Sequence, residues 1–443
     1  MSMITLVNLS YGFKGHGNQD RLLPLGSLHL VSALEEKGYD VDFKDYQINA
    51  MDRSFNTGAL ATFLGNSGDV LGVSCCSDSL PLILAALKKM KEGSPNKLII
   101  LGGIGPTGVA EEILKNFSFI DVIVKGEGEI TIVEVMDQIQ SNHCDLAGVK
   151  GIAYREKEEI HLNPPRKRIK YLDKLPLPAY HKINLMDYTS LGVISARGCP
   201  YSCTFCDAAS FWDYRVIRRD VEKVIQELKA FHSHYPGRIV HFYDEIFTLD
   251  KKRVLRFCRR LKEENLDIRW SAMTQIDLID KELMREMSAS GCQMVLYGID
   301  SGSDLILQKM GKKYNTREAK DKILRSLDYF QVQTLLIWGF PFETMPDFYE
   351  TMEFAAYVSE IGAMPLVYLL APFSLSPIYN QYKDTLKFSR ELYDACHLIQ
   401  NEDVIGLIEK YPKIFPGFCY YEEGNVLEKY PIAKGYESIP FLA

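Results

Sequence analysis

The sequence predicts an α/β protein of two units, a doubly wound parallel sheet and then a partial (β/α)6 barrel, with a small helical C-terminal region. Three observations predict it. Short β-branched runs alternate with helical periods over residues 3–142, the same rhythm resumes at Gly192 and repeats six times, and Pro164, Pro165, Pro176 and Pro178 mark a connection between the two. Alternating strands and helices build parallel sheets covered by helices. The expected divisions are residues 1–145, a linker with a short hairpin over 146–188, the barrel over 189–380 and the tail over 381–443.

In the first unit, strands are expected at Ile4–Val7, Val41–Lys44, Val70–Ser74, Leu98–Leu101 and Val122–Val124, in a Rossmann-like order. Pro24 stands at a helix start, Leu25, Leu28, Val31 and Leu34 give the apolar stripe, and Gly38 ends it where a positive φ is needed. Gly151–Tyr154 and Glu159–Leu162 read as a hairpin. Barrel strands are expected at Gly192–Ala196, Ile239–Tyr243, Ile268–Ala272, Met294–Gly298, Thr334–Gly339 and Pro365–Ala371. Six units make a TIM-like barrel that stays open instead of closing at eight. The tail has helical stretches at Leu386–Ile399 and Asp403–Lys410, which either cap the barrel mouth or pack outside it.

Composition narrows the function classes. The 443 residues are 47% hydrophobic and 25% charged, as in ordinary globular chains. The longest apolar runs, Leu335–Phe342 and Met364–Phe373, are too short to span a bilayer and carry Gly or Pro. A net charge of -7 argues against nucleic acid as the partner, and the one basic cluster, Arg166-Lys167-Arg168, reads as a solvated linker. With no secretory signal, the chain is expected in the cytoplasm with reduced thiols. The 25 Tyr and 22 Phe point to an aromatic core or substrate cavity.

The densest chemistry is Ala196-Arg197-Gly198-Cys199-Pro200-Tyr201-Ser202-Cys203-Thr204-Phe205-Cys206. Iron–sulfur clusters usually take four thiolates, so three leave one iron of a four-iron cluster open to an outside ligand. Structural zinc would need a second half-site, and none is present. A disulfide framework is disfavoured because the other cysteines are scattered at 75, 76, 144, 258, 292, 396 and 419. The spacing C-x3-C-x2-C resembles the signature of radical S-adenosylmethionine (SAM) enzymes. That resemblance implies that Cys199, Cys203 and Cys206 hold a 4Fe–4S cluster whose open iron is chelated by SAM.

In parallel α/β sheets ligands gather at the carboxyl ends of strands, where this chain places Ser74-Cys75-Cys76-Ser77-Asp78, Gly102-Gly103-Ile104-Gly105-Pro106-Thr107 and Gly126-Glu127-Gly128-Glu129. From the residues alone, a nucleotide, a flavin, a corrinoid or unliganded tight turns are all open. The run Pro24 to Glu35, the loop Gly102 to Thr107 and Lys125-Gly126-Glu127-Gly128-Glu129 resemble the cobalamin-binding domain of the cobalamin-dependent radical SAM subfamily, collinearly over about residues 3–380. The resemblance implies cobalamin contacts from Ser74, Cys76, Gly102, Gly103, Thr107, Gly126, Glu127 and Gly128. No D-x-H-x-x-G motif supplies an axial histidine, which leaves water, Cys76 or Asp78 for the lower face of cobalt.

The same resemblance assigns the barrel ends. Asp244 and Glu245 would hold the ammonium or ribose hydroxyls of SAM, although an acid at a helix start can simply complement its dipole. Asp300 and Ser301 would face the ribose or methionyl part, and Phe205 the adenine. Gln275 stands where relatives commonly carry Arg. The implied reaction is methylation of an unactivated sp3 carbon through a 5′-deoxyadenosyl radical and methylcobalamin. Cyclisation or rearrangement without methyl transfer is the alternative, and a non-catalytic corrinoid carrier is a third reading. A small-molecule or peptide substrate and an external electron donor such as flavodoxin or ferredoxin are expected as partners.

Overall fold

The computed structural model describes residues 3–9, 21–49, 56–141, 143–235, 237–397 and 401–435. Its first sheet has seven strands in the spatial order Val41–Asp45, Ile4–Asn8, Val70–Ser74, Leu98–Gly102, Val122–Val124, Ile152–Glu156 and Glu159–Leu162. The first five are parallel. Because the order reverses between Ile4–Asn8 and Val70–Ser74, a crevice opens at their carboxyl ends. The hairpin expected in the connection is instead the antiparallel margin of this sheet, with Val122 opposite Tyr154.

Helices cover both faces. On one lie Leu25–Glu36 and Glu129–Gln140, and on the other Thr57–Gly65, Leu80–Gly93 and Ala110–Asn116. The first helix forms as its stripe requires: Leu28, Val31 and Leu34 are fully buried, and Gly38 turns the chain at φ 83°. The face carrying Leu25–Glu36 is continuous with the barrel core in a single apolar cluster.

The second sheet is six parallel strands in the order Leu191–Val193, Ile239–Phe242, Arg269–Thr274, Cys292–Asp300, Gln331–Trp338 and Met364–Leu369. It is open at both margins, as six units predict. The first strand is shorter than expected. Ser195 gives its N–H to Asp244 at 2.7 Å, and Ala196–Arg197 then pairs antiparallel with Ile217–Arg218. Where the sheet meets the helix Lys251–Glu263, Phe242, Phe247, Phe257 and Trp270 interlock at centroid separations of 4.7 to 5.8 Å, so these aromatics serve the core.

The tail packs outside the barrel only in part. Leu386–Lys387 pairs with Tyr420–Tyr421, and the helix begins only at Arg390, where the Ser389 hydroxyl caps it by accepting Leu392 N–H at 3.4 Å. Its expected end at Ile399 lies outside the described residues. Glu402–Lys410 lays Val404, Ile405 and Ile408 on the outer helices of the first sheet, whereas Val426–Lys434 packs against the barrel helix Met345–Glu360. The tail therefore straps the two units together from outside.

Candidate functional site

The thiol loop is shaped by residues that precede and oppose it. Gly198 adopts φ 111°, and a Cβ there would stand 2.0 Å from the carbonyl oxygen of Arg215, so only glycine passes. Glu245 accepts the Gly198 N–H at 2.9 Å. Asp244 accepts Ser195 N–H at 2.7 Å and the Ser195 hydroxyl at 2.5 Å, while Arg253 donates to the same hydroxyl and to the Ser195 carbonyl, each at 3.1 Å. Asp244 is 2% exposed, with both oxygens engaged. The expected contact from Asp244 to SAM is thus corrected: the carboxylate braces the strand that enters the loop. Glu245 is half-buried and braces the loop itself.

Cys199 is buried, Cys203 and Cys206 are half-buried, and all three are free thiols. Burial pushes Cys199 up to about 11, Cys206 up to about 12 and Cys203 above its ordinary value. Cys199 and Cys206 both feel the charge of Cys203, which places the trio together. Among the described residues no set of three His, Cys, Asp or Glu is gathered around a single ion. Three thiolates that each hold a different iron need not converge on one point, and an all-sulfur donor set suits iron–sulfur chemistry. The residues fit a cluster better than a structural zinc.

Opposite the loop stands a buried cation that the sequence did not announce. Lys312 is ion-paired with Asp300, their side chains only 4% and 7% exposed, and its charge acts on Cys199 and Cys203. Asp300 takes φ 72°, a conformation Asp tolerates better than most residues. Tyr314 donates its hydroxyl to the carbonyls of Gly298 and Ile299 at 2.9 and 3.0 Å, which fixes that turn. No spacing rule joins Asp300 to Lys312; the short helix Asp304–Lys309 brings them together. Ser301 is a correction. It is fully buried, with its hydroxyl shared with Thr351 at 3.0 Å and accepting Ser303 N–H at 3.1 Å, so it supports the turn from behind instead of facing SAM. Phe205 meets Phe340 edge-on at 5.9 Å, and Ile378 N–H donates to the Thr204 carbonyl at 2.8 Å; the loop is thereby held by the fifth and sixth barrel units.

A cavity of about 260 Å³ opens at the carboxyl ends of the first sheet. Ser74, Gly102, Gly103, Gly126, Glu127 and Gly128 all line it. At Gly103, φ is 101° and a Cβ would lie 2.3 Å from the Cys75 carbonyl oxygen. Thr107 stands behind the wall, donating to the Gly103 carbonyl at 2.7 Å and accepting Gly126 N–H at 3.3 Å, so it ties two glycine loops together. Cys76 lies outside this cavity. It is exposed, yet crowding by the protein, with Asp78 and Asp207 adding negative charge, pushes its thiol up to about 12. Burial also raises Asp78 to about 6. The influence of Asp207, which follows Cys206, puts Cys76 within electrostatic reach of the thiol loop.

Glu127 has a use that sequence reasoning missed. Its carboxylate accepts Arg168 Nε at 3.0 Å, Ile169 N–H at 2.9 Å and an Arg197 guanidinium nitrogen at 3.1 Å. The solvated-linker reading of Arg166-Lys167-Arg168 is overturned, because alternate residues of an extended segment point to opposite sides. Arg166 pairs with Glu134, Arg168 with Glu127, and only Lys167 is exposed.

Comparison with known proteins bears on this arrangement. The B12 binding domain family matches residues 19–136 and the Radical SAM superfamily residues 193–355. An uncharacterized methyltransferase of Pyrococcus horikoshii is 30% identical over 339 residues, covering 75% of this chain and 72% of the relative. The chain belongs to the cobalamin-dependent radical SAM family. An anaerobic magnesium-protoporphyrin IX monomethyl ester cyclase of Cereibacter sphaeroides is 29% identical over 383 residues, 82% of this chain and 61% of that one. The fold is that of the radical SAM methyltransferase TsrM of Kitasatospora setae, solved with cobalamin and a 4Fe–4S cluster, at TM-score 0.73 and 18% identity over 96% of this chain and 85% of that one. The radical SAM domain implies SAM and a 4Fe–4S cluster, and the B12 domain cobalamin. Among the described residues no helix is long and apolar enough to cross a membrane.

Proposed function

We propose that this radical SAM enzyme is a cobalamin-dependent C-methyltransferase acting on an unactivated sp3 carbon. The observation that carries the reading is that the thiol loop and the glycine-lined cavity of the B12 domain share a wall, formed by Arg197, Phe211 and Trp212. When bound, the cluster and SAM supply a 5′-deoxyadenosyl radical and cobalamin supplies the methyl group.

The chain's own residues set the stage. Cys199, Cys203 and Cys206 hold the cluster, with Glu245 fixing the loop through Gly198. The buried Lys312–Asp300 pair places a cation beside Cys203, suited to an anionic cluster and to the SAM carboxylate. The cavity is smaller than the ~300–1,000 Å³ of a typical whole-ligand site, so its glycine-rich lining would hold part of cobalamin, such as the nucleotide tail, and leave the rest outside it. Cys76 and Asp78, in the loop after Val70–Ser74, would be the candidates for the lower face of cobalt, and Phe205, next to Cys206, is the aromatic that would suit adenine. The substrate is a small molecule or peptide, the reductant an external flavodoxin or ferredoxin, and the compartment the cytoplasm. A net charge of -7 does not suit a nucleic-acid substrate.

The cyclase relative favours a second reading, ring formation without methyl gain. Anaerobic incubation of the reconstituted enzyme with SAM, cobalamin, reductant and candidate substrates separates the two by product mass. Gain of one methylene, with 5′-deoxyadenosine and S-adenosylhomocysteine formed together, is the expected outcome. Substrate consumed and SAM cleaved with no methyl gained refutes methylation.

A further inference from the structure

The thiol loop is flanked on both sides by residues that line the cavity of the B12 domain. Arg197 lies two residues before Cys199, and Trp212 six residues after Cys206; each lines the cavity alongside Glu127 and Glu129. Beyond its pair with Glu127, Arg197 meets Glu129 at 2.7 Å. Arg168, from the connection between the units, donates to the carbonyls of Trp212 and Arg215 at 2.7 and 2.9 Å and lies 4.6 Å from the Trp212 ring centre. The four charged side chains, two cations and two anions, are each no more than 10% exposed.

Buried charges of this kind resist separation, because moving one leaves its partner uncompensated in a poorly polarisable surrounding. The strand Ala196–Arg197 is therefore fastened to the loop Gly126–Glu129, and Trp212 to Arg168. A ligand that orders one side orders the other, and the second ligand is spared that ordering cost.

We propose that Arg197 and Arg168 are positioning residues that couple the corrinoid cavity to the thiol loop, so that cobalamin and SAM each tighten binding of the other. The inference rests on the cobalamin reading above. Linkage requires the two effects to be equal, and coupling of about tenfold falls within the usual range.

The test uses the full chain with its cluster reconstituted anaerobically. Hydroxocobalamin is titrated by corrinoid absorbance with and without SAM, SAM with and without hydroxocobalamin, and the paramagnetic resonance spectrum of the reduced cluster is recorded in each state. The wild-type protein should show reciprocal tightening of about tenfold and a cluster signal, separate from that of the reduced corrinoid itself, that shifts when hydroxocobalamin is added. Glu129→Gln should keep its iron but bring the coupling below about twofold. Should that variant lose iron, Arg168→Lys, which retains charge but not the forked contacts or the fit over Trp212, should give the same loss of coupling. Hydroxocobalamin that binds wild-type protein with an affinity indifferent to SAM overturns the coupling alone, as do variants that retain it. Failure of hydroxocobalamin to bind at all overturns the cavity reading and the coupling with it.

Discussion

Replacing Lys429 with Met should cost the barrel more than any surface change. Lys429 and Glu343 are both fully buried. The ammonium donates to Glu343 Oε2 and to the Glu343 carbonyl, each at 2.8 Å, and lies 5.9 Å from the Phe348 ring centre. Glu343 also accepts Gly339 N–H at 2.8 Å, while its Oε1 has no partner. Methionine fills much the same length but abandons the carboxylate, and breaking a buried pair from one side costs about 3–5 kcal/mol. Burial raises the Glu343 pKa above its ordinary 4.5 even with Lys429 opposing the shift, and loss of the cation raises it further. A group with a raised folded pKa contributes stability below its unfolded value and loses it as pH rises through the folded value. The deficit of Lys429→Met should therefore be largest in mildly alkaline buffer and shrink as pH falls toward 4.5. Urea unfolding of the reconstituted protein, followed by tryptophan fluorescence to which the buried Trp270 and Trp338 contribute, reads it. Adding Glu343→Gln, which keeps an acceptor for Gly339 but no charge, should recover about half the loss. A deficit below about 1 kcal/mol, or a double variant weaker than Lys429→Met alone, would refute the reasoning.

Two further outcomes test the site residue by residue. Cys203→Ala should abolish cluster iron and SAM cleavage yet leave hydroxocobalamin affinity within about threefold; a variant that still cleaves SAM shows that the thiol is not a ligand. Gly103→Val places a branched side chain at φ 101° and against the Cys75 carbonyl, at a strain of about 1–3 kcal/mol. Hydroxocobalamin affinity should fall about tenfold with iron content kept, and unchanged affinity would show that this turn does not cradle the corrinoid.

Much of the fold was legible because strand and helix periods are local properties. The first helix, the five parallel strands and the six barrel units follow from apolar spacing and from glycines that only certain turns need. The thiol trio was legible as a group, since Cys199, Cys203 and Cys206 sit within one loop. What escaped were pairings across long stretches of chain. Arg168 and Arg197 meet Glu127, Lys312 meets Asp300, and Lys429 meets Glu343, each a charge that a composition reading assigns to solvent. Asp244 and Ser301 were placed in the right neighbourhood but with the wrong orientation, because a sequence shows which strand a side chain ends and not which neighbour saturates its oxygens. The tail was misread for a related reason: its apolar residues declare burial without naming the surface that receives them.

The strap formed by Glu402–Lys410 and Val426–Lys434 bears on biogenesis. It is translated after both sheets, and domains fold as they emerge. Until Val426–Lys434 arrives, Glu343 has no counterion and the fifth barrel turn is loose; until Glu402–Lys410 arrives, the outer helices of the first sheet stay bare. The nascent protein thus passes through an interval in which both layers exist but are not yet tied from outside.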